Sequence, residues 1–363
     1  MRILAINVEI GFGHPNYLDY IIQTLKQTRS GIEVDCWDVV NQEKGLAKLF
    51  WQVSKKIYVI GAKGGVITDL YNKIRQRATI PNLPICTIPE QDYDRILVSH
   101  PLLARYLQNV WYIHGEIAAP QECRMCNVDK VIVPIEETKD KFVEFGVKPD
   151  NILVTGLLID EDLVNCAEEN YQKRISRIKS DKALTIGFFI SGAYPEPHIK
   201  KIITAISSIS KENHRAIVFI GTEIKKTREF IKRLNKIQAQ TKSSILFVQG
   251  KDRRDYVKRI NRLIPLLDCF IAASHEHTNW ALGLGLPMFV LFPMIGSYAI
   301  ENFKFAYEQG VAYPLQSIAD AQNLDKIILQ LRDSGELIRM GQRGVGKFSI
   351  DGAKRTAMEI IKN

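Results

Sequence analysis

The sequence predicts an α/β protein made of two doubly wound domains, each built on a parallel sheet. Three observations predict it. Short apolar runs alternate with amphipathic stretches almost from end to end, the pattern of strands joined by crossover helices. Runs such as FFI and MFVLF are apolar on both faces, as strands covered by helices on both sides must be. The polar, charged stretch DEDLVNCAEENYQKRISRIKSDKA divides the chain in two, and such composition breaks mark domain boundaries.

In the first half, MRILAINV, IEVDCWDVV, RILVSHP, VWYIHG, KVIVPI and ILVTGLL read as strands, with NYLDYIIQTLKQT and EETKDKFVEFG as helices. In the second half the strands are LTIGFFISG, RAIVFIGT, SILFVQG, CFIAAS and PMFVLFP. The helices there are HIKKIITAISSISK, TREFIKRLNKIQAQ, YVKRINRLIPLL and ENFKFAYEQG, and DGAKRTAMEIIKN is a last amphipathic helix. The expected organisation is a first domain over 1–160, a linker with a short helix over 161–183, a second domain over 184–345 and a C-terminal helix over 346–363. Both halves open alike, with a strand, a small-residue turn and a helix: GFGHPNY, then SGAYPEP.

The chain has 363 residues, 46% hydrophobic and 25% charged, the composition of a globular protein with more than one core. It holds no run of about 18 apolar residues that would span a bilayer, and MRILAINVEI leads into a polar turn rather than a signal-peptide pattern. The expected location is cytoplasmic. Six cysteines are scattered, and only Cys123 and Cys126 form a CxxC. A structural zinc needs four ligands, so these two read as incidental thiols, and neither metal nor cofactor is expected. The formal charge of +9 favours an anionic partner.

Ligands of open parallel sheets bind outside the carboxyl ends of the strands, so the loops after strands are the places to search. Gly11 and Gly13 allow a tight turn and close approach of a substrate. The helix that follows offers free N–H groups to an anion, and His14 titrates near neutral pH. The alternative is a turn whose glycines are purely conformational. His100 follows RILVS, with Pro101 set to begin a helix. His114 and Glu116 follow VWYI, and Glu116 is a second possible base if a cleft desolvates it. In the second half His275, Glu276 and His277 form an HxH loop after CFIAA; it reads as a polar ligand loop before it reads as a metal site, because no third ligand is evident.

Residues 41–80 carry eight Lys or Arg against Glu43 and Asp69, with Phe50, Trp51, Tyr58 and Tyr71 interleaved. An apolar face with a basic rim suits docking on an anionic membrane surface; surface helices with their aromatics turned inward are the alternative. A second basic stretch holds Lys225, Lys226, Arg228, Lys232, Arg233 and Lys236, then Arg253, Arg254, Lys258 and Arg259. No RRM-like aromatic signature or zinc-finger spacing accompanies it, so a nucleic-acid partner is not expected.

GFGH before a helix, a strand ending in SHPLL, and VDKVIVPIEETKDKFVEFGVKPDNILVTGLLI together resemble the N-terminal domain of the monogalactosyldiacylglycerol synthase type of glycosyltransferase. The peptidoglycan N-acetylglucosaminyltransferase is a more distant likeness. LGLGLPMFVLFPMIGSYAIENFKFAYEQGVA is similar to the donor-site segment of that family. The resemblance implies a GT-B fold, two Rossmann-like domains facing across a cleft. It implies transfer of a sugar from a nucleotide-diphosphate donor to a lipid or other membrane-associated hydroxyl, without a metal and with inversion. His14 would be the base and Glu116 its understudy, with Gly11, Gly13 and His100 at the acceptor. Ser191, Gly192, Gly221, His277, Thr278, Asn279, Glu301 and Asn302 would hold the donor. The protein would then sit peripherally on the cytoplasmic membrane face. Trp280 stands where many relatives carry a ribose-binding glutamate, and Tyr298 and Ala299 replace a polar pair. These departures leave open a different nucleotide, a polyprenyl-phosphate donor or lost activity. A nucleotide-sugar 2-epimerase and a non-catalytic binding protein of the same fold are the rival readings.

Overall fold

The computed structural model describes residues 1–11, 13–61, 68, 70, 73, 85–88, 92–125, 128–180, 182–212, 214–222, 224–240 and 244–362. Cys126, Tyr71 and much of 62–84 lie outside them. The chain divides into two compact units: Met1–Gly61, Val66–Glu161 and Phe348–Asn363 in the first, and chiefly Asp162–Lys347 in the second.

The first unit holds β1 (Arg2–Asn7), β2 (Glu33–Asp38), β3 (Arg95–Val98), β4 (Trp111–Ile113), β5 (Lys130–Val133) and β6 (Ile152–Val154). They form one sheet in the order β2-β1-β3-β4-β5-β6, and every pair is parallel. The central strands β1, β4 and β5 are almost wholly buried, whereas the edge strand β2 is half exposed. Its sequence EVDCWD is accordingly polar, which discourages pairing with another edge. In the helix Gly13–Thr28, Leu18, Ile21, Ile22 and Leu25 are buried, the i, i+3, i+4, i+7 spacing of a helix lying on a sheet.

The second unit holds β7 (Thr185–Phe189), β8 (Arg215–Gly221), β9 (Ile245–Gln249), β10 (Cys269–Ala272), β11 (Met288–Leu291) and β12 (Ala312–Leu315). Their order is β12-β11-β10-β7-β8-β9, again parallel throughout. β10 and β11 are buried at every residue. β12 is absent from the strands expected above, because Pro314 argues against a strand. It is an edge strand, and an edge accommodates a residue without an N–H.

Two segments differ from the sequence expectation. Residues 161–183 are not a tether. The helix Ala167–Lys179 is part of the second unit, with Arg174 only 1% exposed and Ile178 packed in the core. Arg174 donates from Nε to the Leu267 carbonyl at 2.9 Å and from Nη1 to those of Leu284 and Gly285 at 2.8 and 3.0 Å. Beside it Arg177 pairs with Asp268 at 2.6 Å. Arg174 and Ile178 are four residues apart on one face of an otherwise polar helix, too sparse a stripe to read as buried. The C-terminal helix Gly352–Lys362, for its part, packs on the first unit against Gly13–Thr28. Thr356 donates to the Thr155 hydroxyl at 3.0 Å, and the Leu157 N–H donates to the Ser349 carbonyl at 2.8 Å.

Two buried histidines make stability pH-dependent. His198 donates from Nε2 to the Pro293 carbonyl at 2.8 Å, beside Lys201, which donates to the Phe292 and Leu315 carbonyls at 2.6 and 3.0 Å. These bonds tie the helix Glu196–Ile209 to the ends of β11 and β12. Burial pushes His198 down to about 4 and His114 down to about 4, below the value near 6.5 of an unfolded chain. Between pH 6.5 and 4 the unfolded state therefore binds more protons than the folded one, so stability rises with pH through this window and is complete above it. We expect a loss of roughly 1.4 kcal/mol per pH unit for each histidine on acidification. Thermal melts from pH 7 to pH 4 check this, and the His198→Gln variant should show a shallower slope.

Candidate active site

In the first sheet the chain runs from β1 to β2 on one side and then to β3 on the other. The loops after β1 and β3 therefore diverge, and the crevice between them is where an open α/β sheet binds ligands. These two loops carry His14 and His100. Their rings lie with centroids 5.5 Å apart at 66°. His14 stands in the first turn of the helix Gly13–Thr28, which has no acidic residue in that turn, so its N–H groups present positive potential. Gly11, at φ +84°, makes the turn before it. Pro101 begins the helix Pro101–Tyr106, and His100 caps it by accepting the Leu102 N–H on Nδ1 at 3.2 Å. In the neutral ring this places the proton on Nε2. Trp51 stands edge-on to His100 at 5.8 Å.

The neighbouring strand β4 delivers Glu116, only 6% exposed. It accepts the Tyr17 hydroxyl at 3.2 Å, and Tyr17 is three residues after His14 on one helix. Gly115 makes this contact possible: a Cβ there would lie 2.3 Å from the Tyr17 ring. His114 plays a structural part. Tyr112 donates to its Nδ1 at 3.1 Å, its Nε2 donates to the Ala118 carbonyl at 3.0 Å, and its burial keeps it neutral. The first unit thus gathers two imidazoles, a carboxylate and a phenol at one sheet edge, residue types that serve as general acids and bases. Gly11, His100 and Glu116 lie in the loops of this edge, and Gly13 and His14 in the first turn of the helix that follows β1.

The second sheet has the same reversal between β7 and β10, whose following loops carry Ser191–Gly192 and His275–His277. Ser191 accepts the Tyr194 N–H at 2.9 Å, closing a turn in which Tyr194 takes φ +52° and its hydroxyl donates to the Ile220 carbonyl. Gly221, at φ +77°, ends β8 beneath that tyrosine. Gly192 is exposed, and a Cβ on it would meet nothing within 4 Å. We expect Gly192→Ala to leave the stability within about 0.5 kcal/mol of wild type while weakening any ligand that approaches this backbone closely. Calorimetric melts and titration with nucleotide sugars read the two effects separately.

His277 sits among aromatics, with its ring 4.7 Å from those of Phe189 and Trp280 and 6.4 Å from that of Phe270. Burial, helped by His275, pushes it down to about 3, so it is neutral. Trp280, 7% exposed, belongs to this packed group. Thr278, Asn279 and Asn302 are at most 2% exposed. Asn302 donates to the Ser274 carbonyl at 3.2 Å, and the Ser274 and Thr278 hydroxyls are 3.2 Å apart. These three side chains shape the loop from within, whereas Glu301 is exposed on the helix Ser297–Glu308. Among the described residues no group of three or more His, Cys, Asp or Glu could hold a metal.

Sequence reasoning missed Tyr17, Gly115 and the Trp51–His100 contact. Tyr17 alone carried a readable signal, its i+3 spacing from His14.

No protein-family model matches the chain. It is similar to the processive diacylglycerol beta-glucosyltransferases of Bacillus licheniformis and Bacillus subtilis, 24% identical in each case over 252 and 279 residues. The aligned parts cover 68% and 75% of this chain but 58% and 65% of those proteins, so the chain spans less than two thirds of either relative. Its structure is similar to that of the UDP-GlcNAc 2-epimerase from Neisseria meningitidis bound to UDP-GlcNAc, with a TM-score of 0.58 and 15% identity over 100% of both chains. The fold is GT-B. Each unit is a Rossmann-like domain with six parallel strands and a topological switch, and at this level of identity the structural likeness extends to the fold alone. Among the described residues no helix is long and apolar enough to cross a membrane.

Proposed function

We propose that this GT-B protein is a glycosyltransferase that moves a sugar from a nucleotide-diphosphate donor to a lipid or membrane-associated hydroxyl. The observation that carries the reading is the similarity to two processive diacylglycerol beta-glucosyltransferases. The first unit would hold the acceptor, lined by Gly11, Gly13 and His100, with His14 as general base and Glu116, steadied by Tyr17, as the alternative. Attack on the anomeric carbon, with inversion, needs a proton removed from the hydroxyl and positive potential for the leaving diphosphate. In the second unit Ser191, Gly192, Gly221 and the loop His277–Asn279 would meet the donor, supported by Asn302, with Glu301 at the sugar. His277, neutral and enclosed by aromatics, suits a hydrogen bond to a neutral part of the donor better than a charge pair.

A second reading, a nucleotide-sugar 2-epimerase, is favoured by the grouping of His14, His100, Glu116 and Tyr17 at one edge, since epimerisation needs several acids and bases and no acceptor. One experiment separates them. The protein is incubated with UDP-glucose, UDP-galactose or UDP-GlcNAc, with and without diacylglycerol-bearing vesicles, and lipid and nucleotide fractions are analysed by mass spectrometry and NMR. Glycolipid formation supports transfer. Conversion at C2 of the free nucleotide sugar, without lipid, selects the epimerase. Thermal stabilisation by a nucleotide, roughly 2.7 kcal/mol at 100 times its Kd, with no product in either fraction leaves a binding protein.

A further inference from the structure

The helix Glu196–Ile209 begins directly after the Ser191–Pro195 turn and carries two buried basic side chains that the proposed chemistry does not use. His198 and Lys201 are 2% and 5% exposed and stand three residues apart, on one face of the helix. An ammonium has three N–H donors, and Lys201 gives one to each of three carbonyls: Phe292 at 2.6 Å, Leu315 at 3.0 Å and Gln316 at 2.5 Å. His198 takes the carbonyl of Pro293 at 2.8 Å. All four carbonyls stand at or just past the carboxyl ends of β11 and β12. Apolar side chains of the same length would fill this space at a lower desolvation cost, so the presence of a lysine and a histidine points to what they hold.

They hold the rim of the second unit's crevice. Phe292 and Pro293 open the loop that runs to Gly296 and into the helix Ser297–Glu308. Gly296, at φ +92°, lies against His275: a Cβ on it would stand 3.3 Å from the imidazole Cε1. Asn302, on the helix that follows, donates back to the Ser274 carbonyl at 3.2 Å. At its N-terminal end the helix Glu196–Ile209 continues the turn closed by the Tyr194 N–H on Ser191 at 2.9 Å, and the Tyr194 hydroxyl bonds the Ile220 carbonyl beside Gly221. The first two turns of one helix thus join the turns after β7 and β8 to the loops after β10, β11 and β12.

We propose that His198 and Lys201 are positioning residues for the donor site of the second unit. They fix the Pro293–Gly296 loop, and through Gly296 and Asn302 the His275–Asn279 loop, relative to the Ser191–Gly192 turn. The inference rests on the proposed reading of this crevice as the donor site, and it assigns both side chains to the rim rather than to the reacting atoms. A rim ordered before the donor arrives spares binding the cost of ordering it. Loss of either side chain is therefore felt first in donor affinity.

The test compares the full chain with its Lys201→Met, His198→Leu, His198→Gln and Ser208→Ala variants, at a temperature where each is folded by circular dichroism. Two readouts are taken: amide hydrogen exchange without ligand, and calorimetric titration with UDP-glucose, UDP-galactose and UDP-GlcNAc, with KM and kcat for any donor turned over. His198→Gln keeps an N–H for the Pro293 carbonyl. Ser208→Ala cuts another buried bond of the same helix, to Asp325 at 2.7 Å, ten residues beyond His198. Lys201→Met and His198→Leu should speed exchange about tenfold both in 191–195 and in 293–297, and raise donor Kd and KM about tenfold with kcat within about twofold. His198→Gln and Ser208→Ala should stay near wild type in both readouts, whatever their melting temperatures. Should Lys201→Met not fold, His198→Leu against His198→Gln carries the same comparison. Faster exchange confined to 293–297 overturns the coupling, and so does a donor affinity that falls equally in Ser208→Ala, which would trace the effect to stability alone. Because exchange needs no ligand, the two failures are distinct. Loops that stay protected in both Lys201→Met and His198→Leu end this inference even where a donor binds. Coupled exchange in a chain that binds no nucleotide sugar keeps the brace and removes the donor site assigned to it.

Discussion

His14→Ala is expected to lower kcat by about 10² to 10⁴-fold, the usual contribution of a positioned general base, while leaving the melting temperature and donor affinity near wild type. His14 is half-buried in a helical first turn and near His100, so its removal takes away a proton acceptor without opening a core. Two controls give the result meaning. Glu116→Gln keeps the size of the buried side chain and its capacity to accept from Tyr17. If Glu116 rather than His14 takes the proton, this variant carries the large loss and His14→Ala the small one. Ser191→Ala, in the other unit, should raise the KM for donor with a lesser effect on kcat, since a contact equal in ground and transition states is lost uniformly. Full turnover by His14→Ala would end the assignment of the base.

Arg174→Ala is expected to destabilise the second unit by about 3–5 kcal/mol, a large share of the roughly 5–15 kcal/mol that holds a domain folded. The substitution strands the carbonyls of Leu284 and Gly285 and takes one of two donors from that of Leu267, which Arg177 also reaches at 3.2 Å, and an unsatisfied buried acceptor costs about 1–3 kcal/mol. It also empties the volume of one of the largest fully buried side chains. Burial and the nearby Arg177 pull Arg174 down to about 10, against the raising effect of Asp268 and others, which leaves it charged at neutral pH. Arg174→Met should cost less, because it refills the space while leaving the carbonyls bare. Urea denaturation followed by circular dichroism orders the three proteins. If Met and Ala are equally harmful, hydrogen bonding dominates; if Met is nearly neutral, packing does, and Arg174 holds the helix by shape.

Much of this architecture can be read from the chain because its signal is local. The strands β1, β7, β8, β10 and β11 are apolar on both faces, and only burial under helices on both sides accounts for such runs. The turns after β1 and β7 announce themselves with glycine and small residues, and Pro101 announces the helix that His100 caps. β12 escaped because its meaning depends on position: a proline is excluded from a central strand and harmless at an edge, and edge status is a property of the assembled sheet. The helix Ala167–Lys179 escaped because two buried side chains among solvated ones, Arg174 and Ile178, leave too weak a periodicity.

The candidate site divides in the same way. The residue types and their strand-end positions, His14, His100, Glu116, Ser191 and His277, follow from the sequence alone, since strand period and loop chemistry are encoded within a few residues. Their company does not. That Tyr17 meets Glu116 over Gly115, that Trp51 turns inward to His100 and leaves the aliphatics of its helix facing out, and that Asn302 serves Ser274 rather than solvent are contacts between residues 28 to 99 positions apart. Local patterning determines that a helix forms and where a strand ends. Which face of that helix is covered, and which polar group is spent inside the protein, is decided only when distant segments compete for the same buried space.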